Sequence, residues 1–207
     1  MPRTLRLLAA AGAFTVLAVA AGVVVFGQDE TAATAPATEV AHVSLQQLDT
    51  TEVTVVRGAF CDRIDDEAVT AGLGATAIEA ESYGDGDPVR FTPRVEDVAH
   101  EFGCVWSRGG QRIRAWVFAP PITASRANGL IAQARSTRGC ALAPDAAEFG
   151  APSVALLCRT GKGRQVSYRG LFGDAWLSCS VVGRVPDTEL VARANRFCAT
   201  VVVAAAD

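Results

Sequence analysis

Six cysteines punctuate this chain of 207 residues, all of them beyond residue 60, and no two are closer than 18 positions. They are Cys61, Cys104, Cys140, Cys158, Cys179 and Cys198. Zinc and iron–sulfur sites bring thiolates in close pairs such as Cys-x-x-Cys, because one turn must present two ligands. That spacing is absent, and with it the signature of a metal centre or a dithiol redox pair, so no metal and no cofactor is expected. An even number of well-separated cysteines on an exported domain reads instead as three disulfides. On the chain-entropy model each loop closed in this way is worth roughly 3–4 kcal/mol before native strain is subtracted. The sum rivals the net stability of a whole domain.

Export is written at the amino terminus. Residues 7–27 are apolar or uncharged throughout, with Arg3 and Arg6 before them and Asp29 and Glu30 just after. A helix rising about 1.5 Å per residue needs roughly 20 such residues to cross the hydrocarbon core. Basic flanks resist translocation, which keeps residues 1–6 in the cytoplasm. The expectation is a single-pass anchor over 7–27 that binds the membrane as a helix, with the carboxy-terminal domain outside the cytoplasm. Secretion after cleavage of a signal peptide is the rival reading. Of its two small-x-small sites, Ala18-Val19-Ala20 lies inside the apolar run, and Ala33-Thr34-Ala35 is followed by Pro36. No cysteine lies near the end of the run, which excludes a lipid-modified terminus.

Residues 28–58 read as a tether, because 31–38 (Thr-Ala-Ala-Thr-Ala-Pro-Ala-Thr) carry no large apolar group to bury. Residues 53–56 alone have the character of an edge strand. Residues 59–207 have the usual size of one domain, with no repeat and no second linker. The net charge is −3 and basic residues do not cluster, so no nucleic-acid partner is expected.

Within that domain a helix is predicted over 62–73, with Asp62, Asp65, Asp66 and Glu67 in its first turns and Gly72 and Gly74 at its end. Residues 75–100 lack periodicity and read as a long loop. Phe102, Cys104 and Trp106 alternate with smaller residues, and Gly109-Gly110 supplies a hairpin turn. The return strand puts Ile113, Ala115 and Val117 on one face and Arg112, Arg114 and Trp116 on the other. Thr123 or Ser125 caps a second helix ending at Gly139. Three strands follow over 154–158, 165–171 and 175–182, and a last helix opens at Asp187. Short glycine turns imply antiparallel pairing.

The predicted fold is α+β: an antiparallel sheet of about five strands in the order α-β-β-α-β-β-β-α, three disulfides, and helices packed on one face. Six cysteines leave many connectivities open. The pairing Cys61–Cys104, Cys140–Cys158 and Cys179–Cys198 is favoured, because each bond would join a helix or helix end to a strand.

The stretches Cys61-Asp62-Arg63-Ile64, Cys104-Val105-Trp106, Gly173-Asp174-Ala175-Trp176-Leu177-Ser178-Cys179 and Arg196-Phe197-Cys198 carry a resemblance. Over 59–207 the chain resembles exported actinobacterial cell-envelope domains of unknown function, of the kind found in lipoproteins. It is more loosely similar to the extracellular sensor domains of envelope kinases. The resemblance implies a small α/β sandwich in an envelope setting and carries over no catalytic residue. The chain departs from it in lacking the lipid-attachment cysteine.

Catalytic candidates are few. The hydrolase elbow Gly-x-Ser-x-Gly is absent. His42 falls in the tether, and His100 stands among carboxylates in a stretch that reads as a solvated loop. Residues 159–164 lack phosphate-loop spacing and join two strands, so they read as a hairpin turn. The acidic cluster at Asp62 is explained by its helix start, and Asp85 and Asp87 do not form a calcium loop. What remains is an aromatic–arginine face at Arg112, Arg114 and Trp116, the kind of surface partners use. The expected function is a non-enzymatic, membrane-tethered extracytoplasmic domain that binds an envelope protein, glycan or lipid. The alternatives are an envelope hydrolase with carboxylates assembled by the fold, and a structural envelope component.

Overall fold

Strands β1 (Glu79–Tyr83), β4 (Glu101–Arg108), β5 (Gln111–Phe118), β6 (Cys140–Leu142), β7 (Ser153–Thr160), β8 (Gly163–Phe172) and β9 (Ala175–Gly183) form one sheet in the computed structural model. Their order across the sheet is β1-β4-β5-β9-β8-β7-β6, and each pairing is antiparallel. A separate hairpin pairs β2 (Pro88–Thr92) with β3 (Val95–Val98). Among the described residues the α-helices are α1 (Asp66–Leu73), α2 (Ala124–Arg135) and α3 (Asp187–Ala205). The structure describes residues 43–207 apart from Pro93 and Lys162. The expected cytoplasmic segment, the anchor over 7–27 and the tether up to residue 42 lie outside the described residues. Among those described, no helix is long and apolar enough to cross a membrane.

Two-residue turns set the register. Arg108 faces Gln111 across Gly109-Gly110, and Phe172 faces Ala175 across Gly173-Asp174. Gly109 and Gly173 adopt φ of 57° and 65°, left-handed values that only glycine takes cheaply. With register fixed, alternation sends Ile113, Ala115 and Val117 to the same face as Val166, Tyr168, Leu177, Cys179 and Val181. Helix α3 lays Leu190, Ala194, Phe197 and Val201 on that face, joined by Val69 and Leu73 of α1. This is the main core.

The fold is α+β as expected, but it departs from the five-stranded, one-sided layout. The main sheet has seven strands, and helices cover both faces. Ala127, Ile131 and Ala134 of α2 pack on the opposite face against Val154, Leu156, Leu171 and Trp176. The sign of this is the unbroken apolar run Val-Ala-Leu-Leu over 154–157, since a strand covered on both sides has no polar face to alternate. The long loop expected over 75–100 contains β1, β2 and β3. β1 is an edge strand exposed along four of its five residues, so burial imposes no period-two pattern on it.

Three disulfides staple this framework: Cys61–Cys104, Cys140–Cys158 and Cys179–Cys198. Cys61 opens a short 3-10 turn, Cys61–Arg63, and so ties the approach to α1 onto β4. Cys179 ties β9 to Cys198 of α3. Cys140 and Cys158 are register partners in β6 and β7, so this bond joins strand to strand and not helix to strand. Helix α2 therefore carries no disulfide to the sheet.

The described part of the expected tether, residues 43–58, is packed. Leu45 and Val55 are buried in the main core, and Val55 bridges Ala206 at the end of α3. Apolar side chains spaced ten residues apart have no local periodicity; only the docking groove beside α3 gives them something to bury against.

Candidate functional site

Helix α2 packs where Val154, Leu156, Leu171 and Trp176 receive it, and the cluster reaches Trp116 and Phe118 at the far end of β5. Beyond them, toward β1, the same face carries the exposed Glu79, Glu81 and Arg112. Arg112, Arg114 and Trp116 stand on this face because their neighbours Ile113, Ala115 and Val117 are fully buried on the reverse. The fold thus gathers all three predicted residues on one half-open surface.

Arg114 is the centre of that surface. Its Nη2 donates to Glu101 Oε1 at 2.6 Å and to the Tyr83 hydroxyl oxygen at 2.5 Å. Tyr83 in turn donates its hydroxyl proton to the same Glu101 oxygen at 2.5 Å. The guanidinium carbon lies 5.9 Å from the ring centroids of both Tyr83 and Trp116, within cation–π range. Trp116 leans on Phe118 with ring centroids 4.9 Å apart. Glu101, only 8% exposed, is thereby a buried carboxylate compensated by one cation and one phenol. Burial pushes the Tyr83 hydroxyl up to about 12, and its bond to Glu101 adds to the rise while Arg114 opposes it. At neutral pH the phenol keeps its proton and serves as a donor.

Arg112 has a different setting. It is exposed and borders an open groove of about 710 Å³ shared with Glu79, Glu81, Val105 and Ser107. Ser107 Oγ donates to Glu79 there at 2.5 Å. The surface therefore presents fixed guanidinium and indole groups beside a polar groove with exposed carboxylates. Side chains locked in place lose little freedom on contact, which favours recognition of a partner.

Tyr83 and Glu101 were not among the predicted residues. Glu101 had a signal: the alternation of Phe102, Cys104 and Trp106 puts 101, 103 and 105 on the arginine face. Tyr83 had none, because β1 has no pattern to betray it. The other candidates fall elsewhere. His100 is exposed, with Nδ1 3.6 Å from Asp85 Oδ1. Asp65 caps α1 by accepting from the Ala68 amide at 2.6 Å. Residues 159–164 form the β7–β8 hairpin, with Thr160 facing Gly163. Among the described residues no group of three or more His, Cys, Asp or Glu side chains is placed to hold a metal ion.

No protein-family model matches the chain, and neither the curated proteins nor the solved structures compared with it yield a match.

Proposed function

We propose that this protein is an extracytoplasmic binding domain of the cell envelope, tethered to the membrane by residues 7–27 and non-enzymatic. Its half-open sheet face takes a protein, glycan or lipid partner. One observation carries the reading: α2 covers one part of a sheet face, and Arg112 and Arg114 stand beyond it with Trp116 at its border, beside a part-buried Arg114–Glu101–Tyr83 network. Arginine and tryptophan in fixed positions are what binding surfaces concentrate. Three disulfides support an oxidising compartment outside the cytoplasm.

The test is crosslinking in intact cells from a photoreactive residue at position 112, with a second probe at Val203 as the control on the exposed side of α3. Adducts formed at 112 and not at 203, and lost when Trp116→Ala is introduced into a chain that still melts cooperatively, are expected. Identical adducts from both positions would overturn the reading.

A further inference from the structure

Where α2 borders the open part of that face lies a second, smaller cavity of about 230 Å³. Trp116, Phe118 and Trp176 line it, with Leu130, Gln133 and Ala134 of α2 and Thr137 of the following turn. The one charged residue that lines it is Arg169 of β8; no carboxylate does. Arg169 Nε is buried without a hydrogen-bond partner, and no described residue forms an ion pair with Arg169. Two residues along the same strand, and so on the same face, Ser167 Oγ is likewise buried without a partner.

Arg169 is half-buried, with its Nε withdrawn from water; a guanidinium partly desolvated without a counter-charge is costly, and natural structures pair such groups. Burial lowers the Arg169 pKa from its usual value, the direction expected of a cation that lacks its anion. The volume falls below the about 300–1,000 Å³ typical of drug-sized ligands, which limits the occupant to a single ring or side group.

We propose that this cavity is a subsite for a carboxylate carried on a flat apolar body. The carboxylate would pair with the Arg169 guanidinium, and the apolar body would lie among Trp116, Phe118 and Trp176. The inference rests on the half-open face being a binding face and names the chemistry that its inner edge accepts. Trp116 belongs to both: its ring centroid lies 5.9 Å from the Arg114 guanidinium carbon, and it lines the cavity.

The experiment uses the full, disulfide-intact chain in detergent micelles. Benzoate and benzyl alcohol are titrated against tryptophan fluorescence and against the Arg169 Nε–Hε resonance. Saturable binding of benzoate with a shift of that resonance is expected, at least tenfold tighter than benzyl alcohol, because a charge-assisted pair is roughly twice as strong as a neutral one. Arg169→Gln should weaken benzoate at least tenfold and leave benzyl alcohol unchanged, and Arg169→Lys should fall between. Equal affinity for acid and alcohol, or an unmoved Arg169 resonance in the parent chain, overturns the proposal even if Arg169→Gln does not fold. N-acetylphenylalanine and its amide separate two sources of the carboxylate: a tenfold gain over benzoate points to a peptide terminus, and parity points to a small free acid. Failure of benzoate with retained position-112 crosslinks would sink the subsite alone. Benzoate binding without face-specific crosslinks would sink the envelope-partner reading alone.

Discussion

The ring of Tyr83 lies across Gly103, its register partner in the neighbouring strand. A Cβ on residue 103 would collide with the Tyr83 hydroxyl and its ring carbons. That glycine is what lets the phenol reach Glu101, two residues back along β4, and so close the network with Arg114.

Gly103→Ala should therefore swing Tyr83 out and leave Glu101 with Arg114 as its remaining side-chain partner. The expected cost is about 1–2 kcal/mol, the scale of a lost hydrogen bond to a buried charge. Urea unfolding measures it. A cost no larger than that of Tyr83→Phe would fit, since both remove the same bonds; a cost near zero would show the ring is not held there.

Removing Arg114 strands the carboxylate. Arg114→Met should cost about 2–3 kcal/mol, and adding Glu101→Gln should recover much of it, because the neutral amide no longer needs a cation. The two changes should be strongly non-additive in a double-mutant cycle. Additive losses would mean that the 2.6 Å ion pair contributes little.

Alkaline pH should destabilise the fold through its two tyrosines. Burial raises Tyr168 to about 12, as it does Tyr83, from an ordinary value of 10.0. Tyr168 also donates to Asn195 inside the main core. Between those values the unfolded chain releases protons that the folded chain keeps. The stabilisation is fully present below pH 10 and is lost as pH rises toward 12, by at most about 1.4 kcal/mol per pH unit for each tyrosine. Ultraviolet titration of phenolate in the folded protein, beside denaturation at stepped pH, checks both halves. A phenol ionising near 10 before unfolding would contradict it.

Graded reduction should open the Cys140–Cys158 bond before the Cys179–Cys198 bond. Both of its cysteines are partly exposed, whereas Cys179 and Cys198 are fully buried between β9 and α3. Timed alkylation and peptide mapping should label 140 and 158 while 179 and 198 stay protected until global unfolding. Replacing Cys179 and Cys198 with alanine should cost roughly 3 kcal/mol or more, from loop entropy and lost packing together. Early labelling of 198 would refute this ranking.

The covalent framework, the antiparallel pairing and the two inner strand faces were legible from residue order, because each depends on a short-range signal. Gly109 and Gly173 mark turns, Ile113-Arg114-Ala115-Trp116-Val117 alternates, and the widely spaced cysteines form disulfides. The arginine face followed from the same alternation. What escaped without any local signature was β1 at an exposed edge and Leu45 and Val55 docking from the expected tether; α2 on the reverse face was signalled only by the apolar run over 154–157.

Composition and spacing by themselves determined an α+β domain closed by three disulfides, with Arg112, Arg114 and Trp116 on the side of β5 away from its buried residues. Only the tertiary structure decided that α2 covers part of that side, that Tyr83 and Glu101 meet Arg114 there, and that Arg169 faces a cavity without a counter-charge. Neighbours along a strand are set by backbone geometry, which sequence period reports directly. Neighbours across strands, and the coverage of a face, depend on which long-range burial leaves the least apolar surface in water.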